Sequence, residues 1–214
     1  MFPKVILHIG CSVDGRIDWL KPDNFLYYRI IQNWKFDAMI SGSNTMLVAE
    51  MSAERDIKKL DDQYLVVVDG KGRINNWDII RRQAWWNDTP IVLCSEATSK
   101  AYIDTLQENN IHVLIHGNEK VDLLSALKEL KTRFNINVLR IDSGGILAGA
   151  LLRLGLVDEI SVLISPQMTG GTSEKTIYVA PDLTFYKGVI DLKLVKCETL
   201  ENNYVWLYYS TIKK

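Results

Sequence analysis

The residues best equipped for chemistry stand where short apolar runs give way to turns. Val138–Asp142 is followed at once by Ser143-Gly144-Gly145, and Ile146–Leu154 then carries leucine and alanine at helical spacing. A Gly-Gly turn opening a helix leaves the first N–H groups pointing outward, with no Cβ in the way and the helix dipole favouring an anion. That is the chemistry of a phosphate or diphosphate cradle, with a plain tight turn as the alternative. Gly42-Ser43-Asn44-Thr45 ends another run, Ala38–Ser41. It offers hydroxyls and N–H groups to phosphate or ribose oxygens, or a helix cap. Ser12, Asp14 and Arg16 share a loop with an Asp14-Gly15 turn, just after the run Val5–Cys11. Gly70-Lys71-Gly72-Arg73 sets two cations beside glycines, as an anion contact or as a solvated loop.

The spacing Gly144, Gly145, Gly149 is not the GxGxxG dinucleotide fingerprint, and no Gly-Lys-Ser/Thr of a P-loop is present. His112 and His116 lie roughly 13 Å apart along a strand at ~3.3 Å per residue, too far to share a metal, so no metal site is expected. No Cys-His or Ser-His-Asp arrangement is evident.

The elements that must position these residues alternate. Strands are expected at Val5–Cys11, Ala38–Ser41, Tyr64–Asp69, Pro90–Ser95, Ile111–His116, Val138–Asp142 and Ile160–Ile164. Helices are expected from Asn24 to about Trp34 with Asp23 as cap, over Lys100–Asn109, from Asp122 to about Phe134, and over Ile146–Leu154. Leu123, Leu127, Leu130 and Phe134 form the apolar face of a helix lying on a sheet. Ser173–Leu183 reads as irregular, and Leu192–Leu200 and Tyr204–Ile212 as a hairpin turning at Asn202-Asn203. Trp77, Trp85 and Trp86 crowd a polar segment, as a local core or a dimer surface. The pattern predicts a three-layer α/β/α fold around one mixed central sheet.

A chain of 214 residues suits one domain, here 1–214. With 47% hydrophobic and 24% charged residues it is an ordinary globular composition. A net charge of −1 gives no electrostatic case for nucleic acid or an anionic membrane. No apolar run approaches a membrane span, and the N-terminus lacks a signal-peptide layout. Cys11, Cys94 and Cys197 are widely separated, which argues for reduced thiols and a cytoplasmic location.

The string DSGGILAGALLRLGLVDEISVLISPQMTGG resembles the C-terminal signature of the riboflavin-biosynthesis reductases, a branch of the dihydrofolate-reductase-like superfamily. The loop Ser12-Val13-Asp14-Gly15-Arg16 and the segment from Ala38 to Leu47 are similar to two further motifs of that family, in the same order. The resemblance implies a homodimeric NADPH-dependent reductase of dihydrofolate-reductase-like fold. In the riboflavin branch, hydride from the nicotinamide converts a ribosylamino-pyrimidine 5-phosphate to its ribitylamino product. It implies cofactor contacts at Gly10, Gly42, Ser43, Thr45, Gly70, Ser143, Gly144, Gly145, Ile146 and Leu147. It implies substrate contacts at Ser12, Asn33 and Asp142. Asp14 is the expected catalytic residue, orienting substrate or relaying a proton. Lys71 and Arg73 suit the 2′-phosphate of NADPH.

Three departures concern the substrate. Asn33 stands where the family has an Arg, Asp142 where it has Glu, and the Asp-Pro segment expected after Leu47 is replaced by Ala49–Arg55. Arg29 or Arg55 could substitute for the missing cation. A small-molecule substrate is expected in either case. The alternatives are a reductase of another pterin or carbonyl substrate on the same scaffold, and a catalytically silent nucleotide-binding dimer.

Overall fold

The computed structural model describes residues 1–48, 62–83 and 85–213. The chain gathers into two compact units: Met1–Pro3 with Phe36–Leu139, and Lys4–Lys35 with Arg140–Lys214.

In the first unit, β2 (Ala38–Gly42), β3 (Tyr64–Val68), β4 (Ile91–Cys94) and β5 (His112–Ile115) run parallel, each paired with the next. Their apolar runs do not alternate because both faces are covered; Leu65, Val66, Val67, Ile91, Val92 and Leu93 are fully buried. Helices α2 (Ser43–Val48), α3 (Trp77–Arg81), α4 (Lys100–Glu108) and α5 (Leu123–Arg133) belong to this unit. Asp122 caps α5 by accepting from the N–H groups of Leu124 and Ser125, and Leu123, Leu127 and Leu130 are buried along one stripe. Phe134 caps its C-terminus and packs edge-on against Tyr64 and His112.

Helix α3 is an addition to the sequence reading. Trp77 and Trp86 enter the core with Ile74, Ile80 and Leu106, and the Trp86 indole N–H donates to the Ile80 carbonyl at 2.8 Å. Trp85 is 42% exposed. Two of the three tryptophans are therefore core.

In the second unit, β1 (Lys4–Cys11) pairs parallel with β7 (Glu159–Ile164), β7 antiparallel with β9 (Val205–Thr211), and β9 antiparallel with β8 (Leu192–Thr199). The hairpin turns through Glu201–Asn203, closed by the Leu200 N–H on the Tyr204 carbonyl, with Asn202 and Asn203 both at positive φ. Strand β6 (Val138–Ile141) carries the chain from one unit to the other and leads into α6 (Gly145–Arg153). Helix α1 (Asn24–Ile31) packs Leu26 and Ile30 on Leu163, Tyr204 and Trp206. It stops three residues short of Trp34, because Asn33 and Trp34 donate to carbonyls three residues back and tighten the chain out of the α-helix. Together the units form a mixed α/β protein with parallel strands and an antiparallel hairpin.

Candidate functional site

In the second unit, β1 delivers a loop whose polar groups are turned on one another. The Ser12 hydroxyl donates to Asp14 Oδ1 at 2.6 Å and accepts from the Arg16 N–H at 2.9 Å. Ser12 is buried, so its hydroxyl acts inside the loop as a scaffold for Asp14. Asp14 in turn accepts from the N–H groups of Thr169 (3.2 Å) and Gly170 (2.7 Å). The Ser12 hydrogen bond, then that of Gly170, hold its carboxyl down at about 2. Asp14 is therefore ionised at neutral pH and is held where it can orient a partner by accepting.

Gly10 lies on β1 with ordinary space around it; a Cβ there would stand 3.9 Å from both the Leu163 carbonyl and the Tyr27 ring. Asp142, just past β6, pairs with Arg140 at 3.2 Å. Arg140 is buried, and sequence reasoning did not single it out, since a lone Arg in an apolar run gives no signal. Burial first, and the Asp142 charge second, raise the phenols of Tyr27 and Tyr28 in α1. Asn33 is exposed, and its amide donates to the Ile30 carbonyl at 2.7 Å, closing α1. Arg29 is engaged by both carboxylate oxygens of Glu201, at 2.5 and 2.8 Å. Arg55 and the Ala49–Arg55 departure lie outside the described residues.

Helix α6 begins at Gly145 with Gly144 as its N-cap and no side chain capping it. Its first N–H groups have no partner within the helix. A Cβ at Gly144 would meet only Ile17 Cδ1, at 3.8 Å, so this side is open. Gly145 is different: a Cβ there would fall 2.2 Å from the Thr176 carbonyl oxygen, and one at Gly149 would fall 1.9 Å from that of Val179. The expectation that the missing Cβ of Gly145 makes room for a ligand is therefore corrected. Its side is filled by the chain's own segment 176–179. Ile146 is 56% exposed beside Gly144, whereas Leu147 turns into the core.

The first unit brings its own candidates together. Asp69 Oδ2 accepts from the N–H groups of Arg73 and Ile74 and from the Tyr102 hydroxyl, which shapes the turn holding Gly70. That turn aims Arg73 at the start of α2: Nη2 donates to Ser43 Oγ at 2.6 Å and to Asn44 Oδ1 at 2.7 Å. Ser43 begins α2 directly after Gly42, with Thr45 in the same turn. Gly70 packs against Val121, and its carbonyl accepts from Thr98. A hydroxyl, an amide and a guanidinium thus converge where phosphate or ribose oxygens were expected. Of the expected contacts, Gly42, Ser43, Thr45 and Gly70 belong to this unit, and Gly10, Ser12, Asp14, Asn33, Asp142 and Ser143–Leu147 to the other.

Among the described residues, no group of three or more His, Cys, Asp or Glu side chains is placed to hold a metal ion. His116 bonds Glu129 at 2.7 Å, and His112 lies against Phe134.

The chain is similar to known proteins. The chain is 26% identical to the 2,5-diamino-6-ribosylamino-4(3H)-pyrimidinone 5′-phosphate reductase of Methanothermobacter thermautotrophicus, over 97% of this chain and 98% of that one. It is 23% identical to the riboflavin biosynthesis protein RibD of Escherichia coli, over 79% of this chain and 50% of that one, so it spans about half of the longer protein. Two solved structures share its fold. RibD of Acinetobacter baumannii has a TM-score of 0.77 at 20% identity, covering 99% of this chain and 58% of that one. The riboflavin biosynthesis reductase Rib7 of Saccharomyces cerevisiae has a TM-score of 0.70 at 20% identity, covering 99% and 90%. The fold is thus that of the dihydrofolate-reductase-like reductase domains. Residues 3–206 match the RibD C-terminal domain, and the chain belongs to that family.

Proposed function

We propose that the whole chain works as one NADPH-dependent reductase of riboflavin biosynthesis, reducing a ribosylamino-pyrimidine 5′-phosphate to its ribitylamino product. The observation that carries this reading is the end-to-end match with the archaeal pyrimidinone phosphate reductase, 97% of one chain against 98% of the other. Each unit, taken by itself, offers residues that fit part of a nucleotide. Gly144 leaves open space at the start of α6 for a diphosphate, and Arg73 with Ser43 and Asn44 offers donors to a ribose 2′-phosphate. NADPH when bound supplies the hydride. The protein's part is binding and orientation: Asp14 as a fixed acceptor, Asp142 as a carboxylate for the pyrimidine.

The proposed partner beyond the substrate is a second copy of the chain. Strand β8 ends the strand order of its unit, and Leu192, Leu194 and Val195 on it are 40%, 52% and 54% exposed. An apolar edge of this kind is covered in a stable assembly. Free thiols at Cys11, Cys94 and Cys197 fit a reducing, cytoplasmic setting.

Loss of NADPH absorbance on adding the ribosylamino-pyrimidine 5′-phosphate tests the activity, and light scattering of the eluting protein tests the dimer. A second reading, reduction of a different pterin or carbonyl substrate, is favoured by Asn33 and Asp142 at the two positions where the family places Arg and Glu. NADPH consumed with such compounds but not with the ribosylamino-pyrimidine would select it.

A further inference from the structure

Arg16 joins the loop after β1 to the segment that lies against α6. Its side chain is only 5% exposed. One edge of the guanidinium forks onto Asp18, Nε to Oδ1 at 3.2 Å and Nη2 to Oδ2 at 3.1 Å. The other edge reaches Ser173: Nη1 donates to its carbonyl at 2.6 Å and Nη2 to its hydroxyl at 2.5 Å. Around this clamp the two segments run antiparallel, with the Ile17 N–H on the Lys175 carbonyl and the Ile177 N–H on the Gly15 carbonyl. The same segment then meets α6. The Val179 N–H donates to the Gly145 carbonyl at 3.0 Å, and the carbonyls of Thr176 and Val179 occupy the space beside Gly145 and Gly149. Residues 173–179 are thus a strap with the Ser12–Asp18 loop on one side and the first turns of α6 on the other.

Burying a guanidinium is unfavourable unless its donors are satisfied, and here Asp18 satisfies one edge and the strap's Ser173 the other. A lysine carries one ammonium and no fork. We propose that Arg16 is a positioning residue: through the strap it keeps the loop carrying Ser12 and Asp14 in register with the N-terminus of α6, so that nucleotide affinity and substrate affinity are linked. This rests on the reading in which α6 receives the diphosphate and the loop borders the substrate. The linkage is reciprocal: whatever factor nucleotide adds to substrate binding, substrate adds to nucleotide binding.

Amide hydrogen exchange on the full chain tests the mechanical half without any ligand, in Arg16→Met, Arg16→Lys and Ser173→Ala. The expected result for Arg16→Met is exchange faster by about tenfold at Ile17, Ile177 and Val179, and also at Ala148 and Gly149 of α6, with β1 and β7 unchanged. Arg16→Lys recovers part of this protection. Faster exchange confined to Ile17 and Ile177, with Val179, Ala148 and Gly149 at wild-type rates, overturns the coupling. If Arg16→Met does not fold, Ser173→Ala carries the same two outcomes. In steady-state turnover the folded variants raise the substrate KM by about tenfold and leave kcat nearly unchanged. A fall in kcat with KM unchanged overturns the positioning role. A wild-type chain that binds no NADPH counts against the functional reading alone, and the exchange result still decides the strap.

Discussion

Arg73 Nη2 stands 2.6 Å from Ser43 Oγ, which joins two turns that are 30 residues apart in sequence into one polar cluster. The guanidinium is exposed and has donors left for an anion. Arg73→Ala is expected to weaken NADPH binding by roughly tenfold or more and to leave NADH binding nearly unchanged, since only NADPH has the 2′-phosphate. Because the contact is exposed, the wild-type preference for NADPH should shrink as salt rises. Nucleotide titrations at low and high ionic strength check both points. Equal affinity of the wild type for the two nucleotides at low salt would show that this cluster does not read the 2′-phosphate.

Gly144 and Gly145 are neighbours with opposite expected phenotypes. Gly144 has φ −67° and ψ 174°, a conformation open to any residue at an N-cap, and space beside it. Gly144→Asp should fold at least as well as wild type, because Asp is a good cap, yet it sets a negative charge where the diphosphate is proposed. Gly145→Ala should lower stability by at least about 1–3 kcal/mol, since its methyl would lie against the Thr176 carbonyl backbone. Thermal melts paired with NADPH titration separate the two. Gly144→Asp binding NADPH as wild type does would remove the diphosphate from this helix start.

These neighbours also show where a linear reading stops. The dense strands β3 and β4, the Leu123–Leu130 stripe and the Asn202-Asn203 turn are written in local pattern. So are the glycine and hydroxyl side by side after β2, and again after β6. The crowding beside Gly145 is not legible locally, because the atoms that need its missing Cβ belong to Thr176 and Val179, some 30 residues on in a stretch without periodicity. A far longer separation hides the Arg16–Ser173 clamp, 157 residues apart, and Asp14's bonds to Thr169 and Gly170, 155 and 156 residues apart. Helix α3 was missed for a different reason. Its buried face is one Trp and one Ile in a five-residue helix, too short for a 3.6-residue period to show.

His8 should make the protein acid-sensitive. Its ring is 1% exposed, with Nδ1 2.9 Å from Ser161 Oγ, and that hydroxyl also accepts from the Trp206 indole N–H. Burial, then the nearby Arg140 charge, lower its pKa from 6.5 to about 3. Between those values the unfolded chain holds a proton that the folded chain does not, so stability is full above pH 6.5 and is lost as pH falls toward 3. The slope approaches about 1.4 kcal/mol per pH unit from this group. His8→Gln should remove that part of the slope. Urea unfolding at stepped pH checks it; parallel pH dependences for the two proteins would show that His8 is not the titrating group.

Asp14 carries a complementary expectation for activity. With its carboxyl near 2, it stays ionised through the range in which the protein is stable. Asp14→Asn keeps the size but turns one accepting oxygen into a donor facing the Thr169 and Gly170 N–H groups. Turnover should fall by about tenfold or more, while the shape of the pH profile between 5 and 8 stays as in the wild type. A limb of the wild-type profile that disappears in Asp14→Asn would assign Asp14 the proton transfer instead.

The substrate itself is the last expectation. Asn33 spends its amide on the Ile30 carbonyl, and Arg29 is engaged by Glu201 on both oxygens. Neither offers α1 a ready cation for a substrate phosphate, and Asp142 reaches one methylene less than Glu would. Loss of a charged hydrogen-bond partner is commonly worth about 1.5–3 kcal/mol, a tenfold to hundredfold change in affinity. The ribosylamino-pyrimidine 5′-phosphate should therefore show a raised KM, and removing its phosphate should cost little further. Asn33→Arg should lower KM for the phosphorylated form and leave the unphosphorylated form alone, because only the former gains a partner. Steady-state NADPH oxidation with both forms, in wild type and variant, is the measurement. A wild-type preference for the phosphorylated form of a hundredfold or more would mean that the phosphate meets a cation other than one at position 33, and the argument from Asn33 would fall.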